Sequence, residues 1–119
     1  MSMIRTPLAT AFALALALAS PALAGGDAAY ATNCQACHQP AGAGIKGAFP
    51  ALAGDPFVRG DPDAVIARVL DGKGGMPAFR ASLSDAEVAA AVSYIRSAWT
   101  NGAHPVTAAE VAKVRAVSR

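Results

Sequence analysis

Cys34-Gln35-Ala36-Cys37-His38 places two thiols three residues apart, with an imidazole directly after the second. That spacing is what covalent attachment of a c-type haem requires. The two thiols add across the haem vinyl groups and fix the orientation of the porphyrin. The adjacent His38 then reaches the iron as its proximal ligand. A bare Cys-x-x-Cys also serves as a redox dithiol, but that use belongs to a βαβ context, and no strand pattern is visible in this chain. A zinc site would need a second ligand pair, and Cys34 and Cys37 are the only cysteines present.

A haem iron used for electron transfer wants a second strong protein ligand, so that no open position binds oxygen or peroxide. Met76 is the candidate. It stands in Gly74-Gly75-Met76-Pro77, a Gly-rich loop able to bring its backbone close to a flat cofactor. A single methionine more often fills a core, but this loop is a poor setting for ordinary core packing. The competing ligand is His104, the only other histidine, which lies between the helix stop Gly102 and Pro105 in an apparent connector. Thioether sulfur favours ferrous iron more than imidazole does, so a His38/Met76 pair implies a relatively high potential.

The elements that must hold these residues begin after residue 24. Residues 1–24 read as a secretory signal peptide: Arg5 gives a short basic start, Leu8 to Ala19 is nearly all Ala, Leu and Phe, and Ala22-Leu23-Ala24 is a small-residue cleavage site. The apolar run is shorter than the ~20 residues a membrane-spanning helix needs. It also inflates the apolar fraction of 54%. Without Arg5, nine Lys and Arg face eight Asp and Glu, a near-neutral balance with no basic surplus for nucleic acid. Residues 25–119 form one small domain, of the size that leans on a bound group for much of its core. Export and haem attachment agree with each other, since c-type haem is attached outside the cytoplasm.

The spacing predicts a first helix over Gly26–Cys37 and a glycine-marked loop from Gln39 to Gly47, followed by a turn at Gly54-Asp55-Pro56. A second helix starts at the N-cap Asp61 with Pro62 in its first turn and stops at Gly72; its apolar face is Val65, Ile66, Val69 and Leu70. Gly72, Gly74, Gly75 and Pro77 keep Lys73 to Arg80 irregular. Ser84 with Glu87 forms a capping box and Leu83 with Val88 a staple, opening a third helix that carries Val88, Ala91, Val92, Ile95 and Trp99 and ends at Asn101-Gly102. Thr107 with Glu110, and Val106 with Val111, repeat the same logic for a final helix to about Arg119. The class is all-α.

These residues resemble a monohaem class I cytochrome c of the bacterial periplasm, over nearly all of 26–102. Gly26 and Tyr30 stand eight and four residues before Cys34, as in that family, and Tyr94 with Ile95 occupies the partner position on the C-terminal helix. Ala91 replaces the family's leucine one turn earlier. The resemblance implies three main helices wrapped around a covalent haem, plus a short C-terminal helix. It also implies roles for Pro50, twelve residues beyond His38, whose carbonyl would accept the His38 Nδ1–H, and for Leu52, which would pack on the haem.

The phrases Phe49-Pro50-Ala51-Leu52-Ala53-Gly54 and Gly74-Gly75-Met76-Pro77-Ala78-Phe79 are similar to cytochromes paired with periplasmic dehydrogenases. The function implied is one-electron transfer from a periplasmic donor, such as a dehydrogenase, to another cytochrome or a terminal oxidase, with no substrate transformed by the polypeptide. The alternatives are a haem c subunit of a larger dehydrogenase complex and a ligand-binding or peroxidatic haem protein, which would need an open iron position. Lys46, Lys73 and Arg80 flank the implied haem edge and would steer an acidic partner. Arg59 is a candidate partner for a haem propionate. Residues 103–119, with Lys113, Arg115 and Arg119, extend past the family's usual last helix as either a docking element or a packed appendage.

Overall fold

The computed structural model describes residues 10, 11, 13 and 25–118, so the expected signal peptide and Arg119 lie almost wholly outside the described residues. Six helical segments follow: α1 (Gly26–Asn33), α2 (Gln35–His38), α3 (Pro56–Arg59), α4 (Pro62–Asp71), α5 (Asp85–Ser97) and α6 (Ala108–Val117). No strand occurs among the described residues, only two isolated β-bridges, Ile45 with Phe49 and Lys73 with Met76. The fold is the all-α one expected.

The capping predictions describe the helix starts closely. The Asp61 side chain accepts from the Asp63 N–H, and Ser84–Glu87 and Thr107–Glu110 both form complete capping boxes. Leu83 with Val88 and Val106 with Val111 are buried beside them, as the staples require. On α4, Val65, Ile66, Val69 and Leu70 are all buried. Each such side chain contributes ~1.5–3 kcal/mol by leaving water.

α1 crosses α5 in close contact. A Cβ on Gly26 would stand 2.8 Å from the Ala90 carbonyl oxygen and 3.1 Å from Tyr94 Cβ, so only glycine permits this approach. Tyr30, Tyr94 and Trp99 then meet as a cluster, with ring centroids 5.1–5.6 Å apart. This cluster explains why α5 stops short of the expected Trp99. The helix ends at Ser97, and Trp99 and Thr100 take positive φ of 51° and 65°, which turns the indole back toward Tyr30.

Two further differences from the expected elements have local causes. The first helix is interrupted at Cys34, whose φ of −125° and ψ of −34° separate α1 from α2. The turn at Asp55-Pro56 opens into α3, a single helical turn with Pro56 in its favoured first position. α3 is held by Arg96, which is buried on α5 and donates to the carbonyls of Val58 (2.8 Å), Gly60 (2.9 Å) and His104 (2.8 Å).

Candidate haem site

α2 and the residue before it bring Cys34, Cys37 and His38 to one side of a cleft of about 340 Å³, and Met76 and Pro77 border the same cleft. A deeper lobe of about 160 Å³ continues from Cys34, His38 and Met76 inward to Leu52, Val92 and Ile95. Ala91 also lines this lobe, so the residue that stands in place of a leucine faces the cavity. The six residues singled out for the site, Cys34, Cys37, His38, Pro50, Leu52 and Met76, therefore border two adjoining cavities that share Cys34, His38, Pro50 and Met76.

His38 Nδ1 lies 2.9 Å from the Pro50 carbonyl oxygen. A carbonyl can only accept, so Nδ1 carries the proton and Nε2 keeps its lone pair for a metal. The peptide of Pro50 is delivered by the loop after α2. Gly44 N–H donates to the His38 carbonyl (3.0 Å), and Ile45 and Phe49 close a tight turn between them. Below Pro50, the Leu52 carbonyl accepts from the Asn101 side-chain amide (3.0 Å), which also donates to Ile95 O and accepts from Gly54 N–H (2.7 Å). Asn101 thus ties the Leu52 segment to the end of α5. The sequence marks it only as a helix stop.

Met76 sits between α4 and α5 in a segment without helix. The N–H and carbonyl groups of Lys73 and Met76 pair with each other (3.0 and 3.2 Å), making a tight four-residue turn. Gly72 permits it: its φ is +69°, and a Cβ there would collide with the Met76 carbonyl oxygen. Phe79 and Arg80 then hand their N–H groups to the Val69 and Leu70 carbonyls (both 3.1 Å), which returns the chain to α4.

Both cysteine side chains are half-buried. Burial, with a smaller contribution from Cys37, pushes the Cys34 thiol up to about 11 until it is committed to a thioether. Burial raises Tyr30 to about 12, aided by Cys34 and then Tyr94. Its hydroxyl donates to the Gln39 carbonyl at 2.5 Å, which fastens α1 to the end of α2.

The donor set suits a haem. Its lining is largely apolar and no side-chain polar atom buried among the described residues lacks a partner, as a hydrocarbon macrocycle needs. Cys34, Cys37, His38 and Met76 all line the cleft, bringing two thiols, an imidazole and a thioether to it. No three His, Cys, Asp or Glu side chains converge elsewhere among the described residues.

The charged side chains divide differently from expectation. Arg80 is no free steering charge: it pairs with Asp71 at 2.7 Å and donates to the carbonyls of Arg115 and Ser118. Arg59 is exposed and does not line the cleft, whereas Arg68 lines both lobes and lies 4.4 Å above the Phe57 ring. Arg68 carries no sequence signal beyond its half-buried place on α4. Lys46 and Lys73 are exposed, and Lys73 borders the cleft. His104 is exposed in the connector before α6. No helix of the described residues is long and apolar enough to cross a membrane.

Residues 21–95 match the family described as cytochrome c oxidase, cbb3-type, subunit III. With that match and the relatives below, the chain belongs to the cytochrome c family. It is 39% identical over 124 residues to cytochrome c-552 of Thermus thermophilus, an alignment covering 85% of this chain and 82% of that protein. It is 35% identical to the cytochrome c subunit of the quinone alcohol dehydrogenase of Gluconobacter oxydans, over 76% of this chain but only 22% of that subunit. The chain thus spans about a fifth of the length of that dehydrogenase subunit.

Among solved structures, cytochrome c6 from the diatom Phaeodactylum tricornutum superposes with a TM-score of 0.56 at 28% identity, covering 67% of this chain and 97% of that one. The chain is a class I cytochrome c with one covalently attached haem c, for which Cys34 and Cys37 are the fitting pair. It is an electron-transport cytochrome.

Proposed function

We propose that this chain is a periplasmic one-electron carrier, exported by residues 1–24, with His38 and Met76 as the two axial ligands of its haem. When bound, the haem supplies a one-electron ferric/ferrous couple. The protein's part is to hold that couple in a fixed environment. Pro50 orients the imidazole and raises its basicity through Nδ1, and Cys34 and Cys37 fix the macrocycle. Met76 would supply its thioether to the iron and so exclude water and exogenous ligands. Ligands that stay in place in both oxidation states keep the reorganisation on electron transfer small.

The observation that carries this reading is that an imidazole with Nδ1 committed to Pro50 and the only thioether outside the proposed signal peptide line the same cleft. The electron donor in this reading is a periplasmic dehydrogenase, suggested by the similarity to a dehydrogenase cytochrome subunit, and the acceptor is another cytochrome or a terminal oxidase. Contacts of this type are small and weak, and Lys46 and Lys73 supply exposed positive charge near the cleft for an acidic partner. The same similarity favours a second reading, in which the chain is the haem c subunit of a larger dehydrogenase complex.

Met76→Ala tests the ligand assignment. The variant should keep its covalent haem, lower the potential by on the order of 0.1–0.3 V within the ~0.8 V that axial ligands command, and let ferrous iron bind carbon monoxide readily at neutral pH. Unchanged potential and unchanged carbon monoxide affinity would falsify the assignment. A holoprotein that elutes as a monomer when expressed alone, and accepts electrons as such, supports the free carrier over the complex subunit.

A further inference from the structure

The helix beyond the family's core is fastened to the methionine segment. The family match ends at residue 95, and α6 follows at Ala108–Val117. Its Val111 and Val114 are buried against the body of the protein. At its C-terminal end two arginines exchange contacts. Arg115 donates to the Arg80 carbonyl (2.6 Å), the Leu83 carbonyl (2.8 Å) and Asp85 Oδ1 (2.7 Å).

In return Arg80 donates to the Arg115 carbonyl (2.9 Å), to the carbonyl and hydroxyl of Ser118 (2.6 and 2.7 Å) and to Asp71 Oδ1 (2.7 Å). Arg80 so satisfies carbonyls left open at the end of α6. The brace joins the last residue of α4, the start of α5 and the end of α6 to a point four residues past Met76.

Between Met76 and Arg80 two backbone N–H groups bond back to α4, Phe79 to Val69 O and Arg80 to Leu70 O, and the Phe79 carbonyl accepts from Ser82 and Leu83. Residues 73–75, 77 and 78 are exposed. Met76 and Phe79 pack against the core, Pro77 and Ala78 make no backbone hydrogen bond, and Arg80 is the most heavily bonded residue of the segment. A thioether is a soft ligand and ferric iron a harder acid, so in the oxidised protein this bond depends on the backbone keeping sulfur in place. We infer that Arg115 is a positioning residue for Met76, and that α6 is a clamp holding the methionine segment against the haem by way of Arg80. The inference rests on the proposed ligation by Met76.

Oxidised holoprotein tests it, with imidazole as the probe for a vacated iron position. The weak red charge-transfer absorption of a thioether–ferric iron bond is recorded first. Arg115→Ala should retain covalent haem, weaken that absorption and bind imidazole about tenfold faster than the parent, the size expected when charged hydrogen bonds are lost. Arg115→Lys keeps the charge but not the planar fork, so it should fall between the two; it decides the matter if Arg115→Ala does not fold.

Ser93→Ala is the control. Its hydroxyl bonds the Val106 N–H and carbonyl (both 3.0 Å), so it loosens the other end of the same extension without touching the brace. It should lower the melting temperature yet leave the imidazole rate within about twofold of the parent, since its loss is a buried hydrogen bond rather than the brace. Parent rates in both arginine variants, or acceleration in Ser93→Ala equal to that in Arg115→Ala, overturn the clamp while leaving the ligand assignment intact. A parent protein without the thioether absorption overturns the ligand assignment itself, and the clamp with it.

Discussion

The two borders of the haem cleft are built on opposite plans. His38 ends a helical turn, its Nδ1 is bonded to Pro50, and α1 behind it is packed onto α5 through Gly26 and the Tyr30–Tyr94–Trp99 cluster. Met76 stands in an irregular segment between helices, turned by Gly72 and secured four residues later by Arg80. One border is rigid because apolar surface is buried behind it. The other is held by Met76 and Phe79 packing on the core and by hydrogen bonds at its ends. A cofactor fixed by two thioethers and an imidazole leaves the sulfur side as the one free to respond to strain, and substitutions on the two sides should fail differently.

The largest effect should come from the rigid border. Gly26→Val puts branched carbon into the Ala90 carbonyl and Tyr94 Cβ, where the missing Cβ would already stand at 2.8 and 3.1 Å. It should cost more than ~3 kcal/mol, comparable to severe overpacking of a core. Chemical denaturation of the holoprotein measures it. A loss under ~0.5 kcal/mol, the range of an ordinary surface change, would contradict the close contact of α1 with α5.

A smaller effect belongs to Tyr30, on the same border. Its hydroxyl is raised to about 12, chiefly by burial. An unfolded tyrosine ionises near 10, so between pH 10 and 12 the unfolded chain releases a proton that the folded chain keeps. Stability contributed by Tyr30 is therefore complete below about pH 10 and declines as pH rises toward about 12. Forming the thioether removes the Cys34 share of the shift, but the burial contribution remains. Tyr30→Phe should cost ~1 kcal/mol at neutral pH for the lost bond to Gln39 and flatten the alkaline decline. A decline of equal slope in the parent and the variant would assign it to another group.

The smallest effect should come from Pro50→Ala. The bond to His38 uses the backbone carbonyl, which alanine keeps, so only the ring's restriction of the unfolded chain is lost, worth under ~1 kcal/mol. The potential should hardly move. A large drop in potential would mean that the ring, and not the peptide oxygen, governs His38.

Much of this division is visible in the amino-acid sequence, and what is not has physical causes. The haem pair Cys34 and Cys37, the capping boxes at Ser84 and Thr107 and the apolar faces of α4 and α5 are local patterns, and they appear where the spacing puts them. The break at Cys34, the early end of α5 and the turn of α3 depend on tertiary contacts: Trp99 reaching Tyr30, and Arg96 reaching the Val58 and Gly60 carbonyls. The arginines carry the least local signal. Arg80 looks like a surface charge beside the haem edge, yet its partners Arg115 and Ser118 lie 35 and 38 residues away. Arg68 faces the cleft because of its rotation on α4, which no short motif records.

The proposed function requires sulfur and imidazole to stand on opposite sides of one covalently held iron. Proton NMR of the reduced protein reads this directly, because the ring current of the macrocycle moves a coordinated methionine methyl far upfield of all other protein signals. The parent should show one such three-proton resonance, and Met76→Ala should lose it while keeping its covalent haem. A parent spectrum without that resonance, or one in which it survives the substitution, contradicts the account.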